Sequence, residues 1–295
     1  MRVKLTIEYA GTRYSGWQIQ KNAKTIQGEI DRAVRTVTGR QDFELYGSGR
    51  TDAGVHAAGQ VAHLDVSTNL PVESLRRRLN DELPADINIL GVEQVRHRFH
   101  ARHDAVGRRY LYQIARRRTA FAKAFVWWVK EPIDVERMRA AAGAFVGMKD
   151  FKSFADRDEA SDSLEPLRGT TVPSNSAGGG VPGAIGKSRA PRASLKGTRS
   201  TVVLVDRLDI VEDGALVLVA IEGSHFLWKM VRRVVGVLVE IGRGALEPDA
   251  AVRLLRDESA EPAKLTAPPS GLFLERVYYE GDRREARVHA IMPVG

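Results

Sequence analysis

The sequence contains no cysteine among its 295 residues. This absence excludes a disulfide framework, a thiol nucleophile, an iron–sulfur cluster and any zinc site with sulfur ligands. Long apolar runs are missing as well, since the most apolar stretch, residues 226–241, is short and includes Lys229, Arg232 and Arg233. The first residues alternate in polarity and lack the apolar core of a signal peptide. We therefore expect a soluble, cytoplasmic protein with no membrane partner.

Acidic residues are outnumbered by basic ones, 37 against 45, which gives a formal net charge of +8. A basic excess suits a polyanionic partner, and arginine, which supplies most of it, grips phosphate and stacks on bases. A GC-rich genome would produce the same arginine bias. Composition therefore leaves both explanations of the basic excess open.

Hydrophobic periodicity predicts intermixed strands and helices. Residues 3–9 alternate as a half-buried strand does, and Thr25 is a helix N-cap before an apolar face that ends near Gly39. Further strands are predicted at residues 43–46, 61–66, 87–95, 106–115, 201–211, 215–222 and 272–279, and further helices after Pro71 and at residues 135–145, 226–242 and 248–257. The absence of strict βαβ alternation favours an α+β fold with a largely antiparallel sheet.

Residues 155–200 differ in composition from both halves of the chain. They are rich in glycine, proline and serine, and residues 176–200 hold five basic side chains and no acidic one. The preferred interpretation is a flexible, solvated insertion. The alternative is a basic arm that becomes ordered on nucleic acid.

A glycine-rich turn holds the most informative residues. Gly47, Gly49 and Gly54 let the backbone turn sharply and allow a ligand to approach. Asp52 lies at the crest of this turn, where a nearby cation such as Arg50 could keep it ionised as a nucleophile or base. On spacing alone, an Asp52 that caps the loop and pairs with Arg50 is the stronger interpretation. A phosphate-binding loop is weakly supported, because no Lys-Ser/Thr follows.

Two further residues stand out by their surroundings. Tyr110 lies on a predicted strand and by pattern alone is a half-buried aromatic residue. Arg232 lies on an apolar helix and needs a partner, because an unpaired buried charge is costly. That partner is either a nearby acid or solvent.

The segment Gly49-Arg-Thr-Asp-Ala-Gly-Val-His-Ala57 closely resembles the catalytic motif of the tRNA pseudouridine synthase A family. Other matches follow in the family's order over nearly the whole chain. They are Ile7-Glu-Tyr9, Tyr14-Ser-Gly-Trp-Gln18, Leu83-Pro84, Asp86-Ile87, Phe99-His-Ala-Arg102, Arg109-Tyr110, Asp150-Phe-Lys-Ser-Phe154, Met230-Val-Arg232, Val235-Gly236, Thr266-Ala267 and Gly271-Leu272. The long Gly/Pro-rich region and Arg233, where the family commonly has Asn, depart from the pattern.

The resemblance implies a role for five residues. Asp52 is the catalytic carboxylate, Arg232 pairs with it, and Tyr110 stacks on the target base and takes part in proton removal. Leu272 forms an apolar wall of the uracil pocket, with ordinary strand core as the alternative. Arg50 contacts phosphate or positions the loop. No metal and no cofactor are implied, because isomerisation of uridine oxidises nothing and adds no group.

The resemblance also implies an architecture and a partner. Two ferredoxin-like halves, residues 1–104 and 105–295, share an extended sheet with the active cleft between them, and two copies form a homodimer that binds tRNA. The expected targets are uridines at tRNA positions 38, 39 and 40, in the anticodon stem-loop, flipped out of their stack. The alternatives are an RNA-binding protein or chaperone without catalysis, a nucleotide-dependent transferase, and a related synthase with other target positions.

Overall fold

The computed structural model describes residues 1–156, 200–284 and 287–295. The strands are β1 (Arg2–Tyr9), β2 (Phe43–Gly47), β3 (His56–Val66), β4 (Ile87–Gln94), β5 (Gly107–Ala115), β6 (Trp127–Trp128), β7 (Gly147–Asp150), β8 (Val202–Asp213), β9 (Leu216–Gly223) and β10 (Leu272–Tyr278). The helices are α1 (Ile26–Thr38), α2 (Val72–Glu82), α3 (Val135–Ala142), α4 (Met230–Gly242), α5 (Ala250–Arg256) and α6 (Glu261–Lys264). The predicted insertion, residues 155–200, lies almost entirely outside the described residues.

All ten described strands belong to one sheet. Its order is β4-β1-β3-β10-β5-β9-β8-β7, with β2 paired to β3 and β6 paired to β5. Of the pairings between these strands, only β3–β10 and β5–β6 are parallel. The predicted α+β fold with a largely antiparallel sheet is therefore confirmed. The parallel β3–β10 pair joins strands β4, β1 and β3 to strands β10, β5, β9, β8 and β7. In this pair Phe273 lies opposite His56 and Leu274 opposite Ala57.

The helices cover the sheet with two apolar clusters. Ile30 of α1 and Leu75 of α2 pack in one cluster with Leu5 of β1. Met138 of α3 and Leu238 of α4 belong to the other, together with buried residues of β5, β8 and β9. Removing each such side chain from water contributes about 1.5–3 kcal/mol to folding, so these clusters fix which helix lies on which strands.

A third cluster covers the opposite face of β5 and β9. Leu111 and Leu218 pack there with Val126 and with Val294 near the end of the chain. Because both faces are covered, every residue of β9 is buried, including those that a half-buried strand would expose. The centre of the sheet is thus a rigid platform for the residues that its strands present.

Local signals in the sequence placed most elements correctly. The Thr25 side chain accepts a hydrogen bond from the Gly28 N–H at the start of α1, and Gly39 ends that helix at a φ of 67°. Such a left-handed C-cap suits glycine, which has no Cβ to clash. Both predicted boundaries of α1 are confirmed.

Other boundaries were predicted wrongly. Strand β3 begins at His56 instead of Val61, because its first residues are small or polar and show no alternation. Helix α4 begins at Met230 instead of Phe226, since the residue before it, Lys229, has a φ of 60° that no right-handed helix permits. Strands β6 and β7 and helix α6 were missed, because segments of two to four residues are too short to show a period.

Candidate active site

The turn between β2 and β3 presents Asp52. The Val55 N–H donates to the Asp52 carbonyl at 3.1 Å, and Gly54 adopts a φ of 78°, which closes a tight turn. The Asp52 side chain is 20% exposed. The carboxylate therefore lies at a turn, as the sequence predicts, but is mostly withdrawn from water.

A loop after β1, which contains the segment Tyr14-Ser-Gly-Trp-Gln18, braces this turn. The Trp17 N–H donates to the Thr51 carbonyl at 3.1 Å, and the Gly54 N–H donates to the Tyr14 carbonyl at 3.2 Å. A Cβ on Gly16 would lie 2.6 Å from the Thr51 oxygen, so only glycine allows this approach. Its φ of 92° requires glycine as well. In the sequence, this close approach is signalled by a glycine between two aromatic residues, Tyr14 and Trp17.

Buried polar side chains fix both ends of the turn. The Ser48 hydroxyl donates to Gln60 Oε1 at 2.7 Å, and Gln60 Nε2 donates to the Gly49 carbonyl at 3.0 Å. The Thr51 hydroxyl lies 2.7 Å from the Tyr9 hydroxyl. Since buried groups that lose a partner cost about 1–3 kcal/mol each, this network holds the backbone of the turn in one conformation.

Arg232 approaches Asp52 from the first turn of α4. Its Nη1 lies 3.3 Å from Asp52 Oδ2, and its Nε donates to the Ala267 carbonyl at 2.7 Å. The Ala267 N–H donates back to the Arg232 carbonyl at 3.1 Å. Only 14% of the Arg232 side chain is exposed, so solvent screens this ion pair less than a surface pair. The structure thus brings together two residues 180 positions apart that the resemblance pairs.

Tyr110 and Leu272 lie on the neighbouring strands β5 and β10, and Tyr110 is close enough to Asp52 to interact with it electrostatically. Leu272 is 5% exposed and belongs to the same apolar cluster as Val55. Tyr110 packs against that cluster. The Tyr110 ring meets the Phe226 ring edge-on, with centroids 5.2 Å apart. Burial raises the pKa of Tyr110 to about 12, while the positive charge of Arg108 opposes this shift and the Asp52 carboxylate adds to it. The Tyr110 hydroxyl is therefore protonated at neutral pH.

Arg50 and two basic runs of three arginines each, residues 76–78 and 116–118, lie mostly at the surface. Arg50 is exposed on the turn, two residues before Asp52. In the basic runs, Arg76 pairs with Glu73, Arg116 pairs with Glu212, and Arg117 donates to the Gly295 carbonyl at 2.9 Å. These last three arginines have partners within the chain.

Two histidines are buried and hydrogen-bonded. His56 Nδ1 accepts from the Gly11 N–H at 3.1 Å, and its Nε2 lies 3.0 Å from the Ala124 carbonyl, so the ring is neutral with its proton on Nε2. Burial lowers the pKa of His56 to about 4. His63 Nδ1 accepts from the Ala101 N–H at 3.1 Å. Both are fully buried.

The described residues contain neither a cluster of metal ligands nor a membrane-spanning helix. Across residues 1–156, 200–284 and 287–295, no three His, Asp or Glu side chains converge as metal ligands. None of the helices in these ranges has the length and apolar character needed to cross a membrane. Near the turn, the Asp52 carboxylate lies close to the Arg232 guanidinium and interacts electrostatically with Tyr110.

Comparison with known proteins agrees with the motif. A family model described as tRNA pseudouridine synthase matches residues 5–104 and 188–280. The chain is 33% identical to tRNA pseudouridine synthase A 2 of Clostridium perfringens over 279 residues, which cover 94% of this chain and 99% of the relative. It is 36% identical to tRNA pseudouridine synthase A of Geotalea uraniireducens over 280 residues, again 94% and 99% of the two chains. From the motif, its placement in the fold and these matches, the chain belongs to the tRNA pseudouridine synthase family.

Proposed function

We propose that this chain isomerises uridine to pseudouridine in the anticodon stem-loop of tRNA, at positions 38, 39 and 40. The Asp52–Arg232 pair is the observation that carries the proposal. A charged carboxylate that is mostly withdrawn from water is stabilised by a cationic partner, and Arg232 supplies one at 3.3 Å. Family membership supplies the substrate class, since the relatives carry tRNA pseudouridine synthase in their names.

The reaction balances without any added reactant. The bond between N1 of uracil and C1′ of ribose breaks, the detached uracil rotates, and C5 bonds to C1′. The proton on C5 is lost and N1 gains one, so the product is an isomer of the substrate. Asp52 attacks the nucleotide or assists departure of the base, and Arg232 pairs with the carboxylate and orients it. The detached base must remain trapped, which requires a site that excludes water.

The neighbouring residues fit the binding of uracil. Tyr110 offers a ring for stacking and a protonated hydroxyl for the proton transfer at C5, and Leu272 forms an apolar wall against the base. Arg50, exposed on the same turn, contacts a phosphate of the tRNA. A uridine inside a stem-loop reaches Asp52 only by leaving its stack, so the proposal includes base flipping.

The proposal extends to the assembly. Residues 1–104 and 105–295 form two ferredoxin-like halves, with the site where β3 and β10 pair, and two copies form the working homodimer in the cytoplasm. A net charge of +8 supports tRNA binding by phosphate contacts. Such contacts release counterions, so affinity should fall as salt rises.

The test is tritium release from tRNA that carries uridine tritiated at C5. The wild-type protein should release tritium with no cofactor or metal added, and Asp52→Asn should release none while still binding tRNA. Asp42→Asn, a change of the same kind at an exposed position before β2, is the matched control and should behave as wild type. Mapping of pseudouridine in the product should find it at positions 38, 39 and 40.

Three results would contradict the proposal. Binding of tRNA by wild type without any tritium release would favour a binding protein. Release that continues in Asp52→Asn would remove Asp52 from the chemistry. Pseudouridine at other positions would favour a related synthase with a different target.

A further inference from the structure

The guanidinium of Arg108, on β5, donates hydrogen bonds to backbone carbonyls. Its Nη1 donates to the carbonyls of Ala105 and Ser224, at 3.3 and 2.9 Å. Its Nη2 donates to the carbonyls of Ser48 and Arg102, both at 3.1 Å. One side chain thus hydrogen-bonds four backbone oxygens from three separate segments.

Two of these carbonyls belong to segments that carry the proposed site. Ser48 is the first residue after β2 and opens the turn that presents Asp52. Ser224 is the first residue after β9 and lies two residues before Phe226, whose ring contacts Tyr110. In the sheet, β3 and β10 lie between β2 and β5, so no strand pairing joins the end of β2 to the end of β9. Arg108 makes that connection directly.

The hydrogen bonds of Arg108 distinguish two possible roles, a connection between segments of the chain and a contact with a phosphate. A guanidinium carries four of its five N–H groups on its two terminal nitrogens, and each of these nitrogens donates to two carbonyl oxygens here. A phosphate would therefore have to displace existing hydrogen bonds to engage these donors. The charge of Arg108 opposes the rise in the pKa of Tyr110, but burial dominates and the hydroxyl is protonated either way. The connection between segments, and not the charge, is what Arg108 contributes.

We propose that Arg108 is a positioning residue, which fixes the Asp52 turn relative to the Phe226 side of the site. The inference about reaction rate rests on the proposed function, whereas the inference about the geometry of the turn does not. Displacement of a reacting group by about 1 Å can slow a reaction by about a hundredfold. Loss of the connection should therefore slow the chemical step by about 10- to 100-fold.

The variants Arg108→Met and Arg108→Lys test the proposal together. Met removes both the charge and the hydrogen bonds, while Lys keeps the charge but has a single nitrogen that cannot reach both sides. Arg137→Met is the matched control, because Arg137 also donates to two carbonyls, Ile241 and Leu246, but at the far end of α4. For each variant we would measure the single-turnover rate at saturating enzyme, the Kd for tRNA across salt concentrations, and amide hydrogen exchange without tRNA.

Both Arg108 variants should lose about 10- to 100-fold in rate, with Kd within about threefold of wild type and an unchanged salt dependence. The Gly54 amide is bonded to the Tyr14 carbonyl and the Val55 amide to the Asp52 carbonyl, and exchange of both should rise at least about tenfold in both variants. Arg137→Met should leave rate and exchange unchanged. A full rate in Arg108→Lys would overturn the proposal in favour of a charge effect. A raised Kd with a salt slope reduced by about one would overturn it in favour of a phosphate contact.

The exchange measurement keeps this inference separate from the proposed function. If wild type releases no tritium, the proposed function fails, yet faster exchange at Gly54 and Val55 would still show that Arg108 holds the turn. If wild type and Asp52→Asn behave as proposed but the Arg108 variants keep the wild-type rate, only the role of Arg108 is refuted. Unchanged exchange in both variants would refute it without any reference to activity.

Discussion

Gly236→Ala should disturb the site through a single added methyl group. Gly236 lies in α4, one turn after Arg232, where the helix passes very close to the segment before β10. A Cβ there would lie 1.6 Å from the Leu265 carbonyl oxygen and 3.3 Å from the Ala267 nitrogen. Both neighbours are backbone atoms, so no side chain can rotate out of the way.

The loss in free energy of unfolding follows from the distance by which α4 and residues 265–267 must separate. A methyl carbon and a carbonyl oxygen need about 3.2 Å, so α4 and residues 265–267 must move apart by about 1.5 Å. That movement breaks the hydrogen bonds that join Arg232 to Ala267, now 2.7 and 3.1 Å long. Overpacking costs about 1–3 kcal/mol and each lost hydrogen bond about 1 kcal/mol. The free energy of unfolding should therefore fall by about 3–5 kcal/mol, although alanine is the better helix former.

The assay is urea unfolding combined with tritium release at a temperature where the variant remains folded. Gly143→Ala is the matched control, because nothing lies within 4 Å of its added Cβ and its φ of −58° suits alanine. That control should be neutral or slightly stabilising and fully active. A Gly236→Ala protein as stable and as active as wild type would refute the close approach of α4 and the anchoring of Arg232 through Ala267.

Three further predictions follow from the site and the core. Arg232→Met should abolish tritium release while the protein stays folded and binds tRNA, because Asp52 loses its counterion; turnover near the wild-type level would contradict the pairing. Tyr110→Phe keeps the ring, so the Kd for tRNA should stay within about threefold of wild type. Because the hydroxyl is lost, the single-turnover rate should fall about a hundredfold. An unchanged rate would restrict Tyr110 to stacking. Burial lowers the pKa of His56 from 6.5 to about 4. Between these two pH values the imidazole is therefore protonated in the unfolded chain but not in the folded protein. The free energy of unfolding should thus drop by up to about 3 kcal/mol over that range, and His56→Gln should show a smaller drop in urea titrations; an equal drop would exclude His56 as its source.

Local patterns predicted those elements whose ends carry a chemical signal. Thr25 and Gly39 bound α1 because a side-chain oxygen satisfies a free N–H and a glycine adopts positive φ. The start of α4 could not be predicted in this way, because the apolar pattern runs on through residues 226–229 while the left-handed Lys229 interrupts the helix. Nothing in the local pattern predicts a positive φ for lysine.

The sequence by itself determined the glycine-rich turn, the carboxylate at its crest and the family to which both point. These properties are local, since three glycines within eight residues let the backbone turn sharply and the aspartate lies among them. Only the tertiary structure decided which distant groups meet the turn: Arg232 at Asp52, and Arg108 between Ser48 and Ser224. Those contacts depend on the order of strands in the sheet and on the close approach at Gly236, and hydrophobic burial across the whole fold selects that arrangement.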